Sequence, residues 1–92
     1  MKVSIVIPCL NEQETIETVV KKSFSSLESN EVEGEVIVAD NSSIDNSQMF
    51  AIRLGAKVIH ADRKGYGAAL QAGIKESRGE YIVMGDADDT LS

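Results

Sequence analysis

The 92-residue sequence predicts one α/β domain, a parallel sheet flanked by helices. Three observations carry this reading. Short β-rich runs alternate with segments of helical spacing in the order β-α-β-α-β-α-β, the pattern of right-handed parallel crossovers. Val36-Ile37-Val38 and Tyr81-Ile82-Val83-Met84 are apolar without alternation, as strands are when a parallel sheet is covered on both faces. Every strand is also followed by a polar segment, and three of those four segments begin at or near an aspartate.

The first strand is Val3–Ile7. The helix after it carries Ile16, Val19, Val20, Phe24 and Leu27 on one face, with Asn11 and Glu14 spaced as a capping pair at its start. Strand two is Glu35–Ala39. Asp45 and Gln48 repeat the capping spacing before a shorter helix with Met49, Phe50, Ile52 and Leu54, which Gly55 stops. Strand three is Lys57–Ala61. A third helix is expected from about Lys64 to Ser77, with Leu70 and Ile74 on one face, Ala69 and Gly73 close by, and Gly79 beyond its end. Strand four is Glu80–Met84. The expected spatial order is 3-2-1-4, with the winding reversing between strands one and four, and ligands of such sheets bind beyond the carboxyl ends of the strands at that reversal.

Composition narrows the chemistry. Nine basic residues against fifteen acidic ones leave a net charge of −6, with two Phe, two Tyr and no Trp, a poor endowment for gripping a nucleic-acid backbone. The single Cys9 excludes an internal disulfide and suits a reducing compartment. No apolar run is long enough to span a membrane, and Val3–Ile7 is too short for a secretory signal. No repeat or linker divides residues 1–92, which are expected to form one unit.

Function is sought at the carboxyl ends. Asp86-Ala87-Asp88-Asp89 crowds three carboxylates into four positions, which a hard divalent cation, Mg²⁺ or Mn²⁺, relieves while keeping positions open for phosphate oxygens; the plain alternative is a solvated acidic turn. Arg63 and Lys64 beside Gly65 and Gly67 suggest an anion site where backbone approaches a phosphate closely. Asp40 ends a buried strand, placed to accept hydrogen bonds from a base or ribose, or to close a local turn. Gly65-Tyr66-Gly67 resembles the start of a dinucleotide fingerprint, but Leu70 takes the third glycine position and Asp62-Arg63-Lys64 intervene after the strand. His60 and Cys9 are expected to be structural.

Four blocks in order, Val3–Glu12, Val38–Ser47, Lys64–Gly73 with Arg78–Ile82, and Gly85–Asp89, resemble the family 2 glycosyltransferases, nucleotide-sugar enzymes of the Rossmann-like GT-A fold. The Gly-Tyr-Gly-Ala-Ala stretch with Met-Gly-Asp-Ala-Asp-Asp is most similar to the branch acting on polyprenyl or dolichyl phosphate. The resemblance implies that Pro8, Leu10, Asn11, Glu12 and Asp40 cradle the base and ribose of a UDP- or GDP-sugar. Lys64 and Gly65 would line the nucleotide site. Asp86, Ala87 and Asp88 form the Asp-x-Asp motif, with Asp86 and Asp88 on Mg²⁺ or Mn²⁺. It further implies inverting transfer to an acceptor such as a lipid phosphate, and a general base beyond Ser92, so that the chain holds the donor part of a longer domain. Asn41 and Ile44 depart from the family's Asp-Asp-Gly-Ser-Thr-Asp pattern, in the places of its second Asp and its Thr. A non-catalytic nucleotide-binding module and a dinucleotide-binding half-domain are the alternatives. The expected location is the cytoplasm, at the cytoplasmic membrane face in a longer protein, and the apolar edge of strand four is expected to mediate self-association.

Overall fold

In the computed structural model, residues 2–11, 14–41, 45–61 and 63–85 are described. The elements are β1 (Val3–Cys9), α1 (Ile16–Ser29), β2 (Gly34–Asp40), α2 (Ser47–Arg53), β3 (Lys57–His60), α3 (Tyr66–Glu76) and β4 (Tyr81–Met84). All pairings are parallel and the sheet order is β3-β2-β1-β4, as the sequence predicts. No helix among the described residues is long and apolar enough to cross a membrane.

Strand alternation sorts the core into two layers. Ile5, Ile7 and Cys9 of β1 lie with Val36 and Val38 of β2 under Ile16, Val19, Val20 and Leu27 of α1, and Ala51 of α2 completes this layer. On the opposite face Ala39 and Ala61 pack on Ala69, with Ile59 and Ala72 against them. A β-carbon at Gly73 would collide with Val6, so α3 lies close against β1. The buried stripe of α3 is thus Ala69 and Gly73, while Ile74 is 40% exposed. The Leu70–Ile74 row predicted for this helix is not its sheet-facing side, because close helix-on-sheet packing selects small residues.

β4 departs from the both-faces-buried reading of its sequence. Tyr81, Ile82, Val83 and Met84 are all exposed, since β4 is the sheet edge beside β1 and the helices cover the other strands. Its attachment to β1 rests on backbone bonds and on a polar clasp at the amino ends of the strands. Ser4, fully buried, donates its hydroxyl to Glu35 Oε2 at 2.6 Å and accepts the Gly79 N–H at 2.8 Å. The same Glu35 oxygen accepts the Arg78 N–H at 2.8 Å. The Arg78-Gly79 block therefore joins β1, β2 and the α3–β4 turn, on the side of the sheet away from the carboxyl ends.

Partial burial pushes the Glu35 carboxyl up, but the Ser4 and Arg78 hydrogen bonds and the charges of Lys57 and Arg78 outweigh it and hold its pKa below the ordinary value. A lowered folded pKa contributes stability that is present above the unfolded value of about 4.3 and is lost as pH falls through the folded one. Glu35→Gln is therefore expected to flatten the acid limb of stability, the loss that sets in as pH falls below the unfolded value. Urea unfolding at stepped pH checks this, and identical slopes in both proteins would contradict it.

Candidate functional site

The carboxyl ends of the strands form one edge, stitched by backbone bonds that extend each ladder by a residue. Asn41 N–H donates to Cys9 O at 2.8 Å, Ala61 N–H to Asp40 O at 2.8 Å, and Gly85 N–H to Val6 O at 2.9 Å. With Val6 bonding toward β4, the next β1 residue in that series is Pro8, which has no N–H to donate. Among the described residues the β1–β4 pairing runs to Val6 and Met84, while β1 continues against β2 to Cys9 and Asp40.

From β1, Pro8 and Cys9 are buried and the chain then breaks outward. Leu10 is 50% exposed, and Asn11 takes φ 51°, a left-handed conformation that asparagine tolerates better than most residues. The predicted Asn11–Glu14 capping pair does not start α1. The helix begins at Ile16 behind Thr15, whose side chain makes no capping bond, because Asn11 is spent on the turn off the strand.

At the end of β2, Asp40 is fully buried, and its Oδ2 accepts the Gln48 amide at 2.5 Å. The predicted Asp45–Gln48 pair is likewise redistributed. Asp45 Oδ1 accepts the Ser47 N–H at 2.9 Å and the Ser47 hydroxyl at 2.6 Å, closing a turn within two residues. With Asp45 committed to that turn, Gln48 reaches back to the strand end. Sequence reasoning missed Gln48 as a partner of Asp40; the available signal was its place in the first turn of the helix that folds back over the end of β2.

The β3–α3 segment supplies the basic side chains. Arg63 and Lys64 are exposed and precede α3, which starts at Tyr66, two residues beyond the expected start near Lys64. The reason is Gly65 at the N-cap, with φ 113° and ψ 155°, far from helical values and accessible to glycine alone at little cost. Among the described residues nothing lies within 4 Å of where a β-carbon would stand on Gly65 or Gly67. The close helix–strand approach that a dinucleotide fingerprint assigns to its third glycine is made here by Gly73, six residues beyond Gly67, and Leu70 is only half-buried.

Asn41 holds this segment to the end of β2. Its side-chain amide donates to Arg63 O at 2.9 Å and to Gly65 O at 3.2 Å, while the residue itself is 8% exposed. The structure thus brings Asp40, Asn41, Lys64 and Gly65 to one corner, beside the end of β1 with Pro8, Leu10 and Asn11. Glu12, Asp86, Ala87 and Asp88 lie outside the described residues. Among the described residues no group of three or more His, Cys, Asp or Glu could hold a metal ion.

Comparison with known proteins places this architecture. The family model for glycosyl transferase family 2 matches residues 4–92. The low-salt glycan biosynthesis hexosyltransferase Agl6 of Haloferax volcanii is 45% identical over 87 residues, covering 95% of this chain and 21% of that protein. A glucosyl-3-phosphoglycerate synthase of Mycobacterium tuberculosis is 36% identical over 94 residues, covering 94% of this chain and 28% of the relative. The chain therefore spans well under half the length of these curated relatives. The crystal structure of that synthase with Mn²⁺, UDP and glucosyl-3-phosphoglycerate superposes with a TM-score of 0.79 at 35% identity, over 94% of this chain and 33% of that one. Mannosyl-3-phosphoglycerate synthase from Rubrobacter xylanophilus gives a TM-score of 0.87 at 25% identity, over 96% of this chain and 31% of that one. With the family model matched almost end to end, on a parallel sheet whose strand order and polar edge the sequence predicts, this chain belongs to glycosyl transferase family 2.

Proposed function

We propose that this chain is the donor-binding part of a glycosyltransferase, holding a UDP- or GDP-sugar along the carboxyl edge of β1 and β2. The observation that carries the reading is the corner where Asn41 draws the Arg63–Gly65 backbone to the end of β2 beside Asp40. It joins a buried acceptor at a strand end to an exposed basic, glycine-bearing loop, the two chemistries a nucleotide diphosphate requires. In this reading Pro8, Leu10, Asn11, Glu12 and Asp40 serve the base and ribose, with Asp40 held in place by Gln48. Lys64 and Gly65 serve the diphosphate.

Asp86 and Asp88 would hold Mg²⁺ or Mn²⁺, which supplies charge neutralisation for a departing diphosphate. The relative solved with Mn²⁺ and UDP supports a divalent cation beside the nucleotide. The acceptor proposed is a polyprenyl phosphate, on the resemblance of Gly65–Ala69 and Met84–Asp89 to that branch. Its phosphate oxygen would form the new bond to the anomeric carbon, on the face opposite the breaking bond to the nucleoside diphosphate, inverting that centre. The place of action is the cytoplasmic membrane face.

Isothermal titration with UDP and with GDP, each with and without Mn²⁺, tests the donor reading. Binding is expected to require the metal and to weaken at least about tenfold in Asp88→Ala, the equivalent of about 1.4 kcal/mol. Metal-independent binding, or none in a folded sample, would overturn the reading.

Self-association belongs to the same proposal. The four β4 side chains are 39–60% exposed on an outer strand, and such an edge pairs readily with another. Sedimentation velocity is expected to show dimers growing with concentration, and a monomer throughout would refute this.

A further inference from the structure

We infer that Asn41 is a positioning residue for the donor site, and that its amide, as a double hydrogen-bond donor, sets the place of the Arg63–Gly65 loop that meets the diphosphate. The inference rests on the donor-site reading above and goes beyond it by assigning a role to a residue that departs from the family pattern. The geometry is specific. One Nδ2 group donates to two carbonyls, Arg63 O at 2.9 Å and Gly65 O at 3.2 Å, which flank Lys64. Its own backbone N–H is tied to Cys9 O at 2.8 Å, so the anchor is part of the sheet and does not move with the loop.

Besides the Asn41 amide, Gly65 O accepts the Ala69 N–H at 3.1 Å from the first turn of α3, so the bracket ties the loop to the sheet and that bond ties it to the helix. Gly65 has φ 113°, no described residue lies within 4 Å of its β-carbon position, Arg63 and Lys64 are exposed, and α3 begins only at Tyr66. An amide can make both bonds, having two N–H donors. A carboxylate is acceptor-only when ionised and would face two carbonyl oxygens. Asn41→Asp therefore converts the bracket into a repulsive contact of nearly the same shape, which a single proton relieves in part by restoring one of the two donors. Burial and two facing carbonyls raise the pKa of such a carboxyl. Among the described residues beside it and on the loop, the charged ones are Asp40, Arg63 and Lys64.

The test compares the unchanged 92-residue chain with Asn41→Asp and Asn41→Ser, using UDP with Mn²⁺ as the probe at pH 7.5 and pH 5.5. Thermal unfolding of each variant at both pH values establishes that it is folded. The Asp variant is expected to bind about tenfold or more weakly than the unchanged chain at pH 7.5, and the deficit to shrink at least threefold at pH 5.5. The Ser variant, with one donor too short to span both carbonyls, is expected to lose affinity equally at both pH values. Amide hydrogen exchange without ligand is expected to quicken at Lys64 and Gly65 in both variants.

Equal UDP affinity in Asn41→Asp and the unchanged chain at pH 7.5 would overturn the positioning role while leaving the donor reading intact. A deficit that does not change with pH in the Asp variant would overturn the double-donor account. Failure of the folded unchanged chain to bind UDP or GDP would instead remove the donor reading, and the positioning role with it.

Discussion

Gly79→Ala is expected to cost the domain about 3 kcal/mol of stability, near the top of the range for forced overpacking. A β-carbon at Gly79 would stand 2.5 Å from Ser4 N and 2.6 Å from Val3 C. Both are backbone atoms of the central strand, which cannot swing aside as the tip of a long side chain can. The substitution must therefore push the α3–β4 turn off β1. That movement also stretches the Gly79 N–H bond to Ser4 Oγ and, through it, the Arg78 bond to Glu35. A domain of this size has in total roughly 5–14 kcal/mol, so the loss is a large share. Urea unfolding measures it, and a change below about 1 kcal/mol would show that the turn relaxes freely. The effect has a functional side as well, because β4 leads directly to the Gly85–Asp89 segment. A destabilised but folded Gly79→Ala protein is expected to bind UDP with Mn²⁺ more weakly.

Gly73→Ala is expected to destabilise by about 2 kcal/mol, although alanine is the better helix former by about 1 kcal/mol. The added methyl collides with Val6, which is fully buried in the central strand and, being β-branched, has few alternative rotamers. Relief requires α3 to rise from the sheet, which opens the thin layer formed by Ala39, Ala61 and Ala69. Gly67→Ala in the same helix is the control. No described residue lies within 4 Å of the new methyl there, so the change is expected to be neutral or stabilising by up to about 1 kcal/mol. Opposite signs for the two substitutions in thermal or urea unfolding would confirm that packing against β1, and not helix propensity, decides the first. Equal effects would contradict it.

How far the sequence carries the reading is clear from particular residues. The spacing of Ile16, Val19, Val20 and Leu27 gives α1 and its buried face, and the observed helix buries those four residues. Gly55, with φ 97°, ends α2 as its position implies. The strands lie within two residues of their predicted bounds at every end, and their order follows from crossover chirality. The caps went astray because capping pairs are local patterns whose members have other options. Asn11 adopts the left-handed turn off β1, and Gln48 finds Asp40 instead of the start of its own helix. The α3 stripe went astray because hydrophobicity marks what prefers burial, whereas the closeness of α3 to Val6 selects what is small.

By itself the sequence determined the elements, their parallel order and the polar character of the carboxyl edge. All of these rest on spacing and side-chain chemistry over a few residues. Only the tertiary structure decided that Asn41 brackets a loop 22 positions away, that Gln48 holds Asp40, and that Ser4 meets Gly79 across 75 positions. Such contacts depend on which strand ends the sheet brings side by side and on how closely a helix can approach. No local pattern encodes those distances, because they are set by the packing of the whole domain.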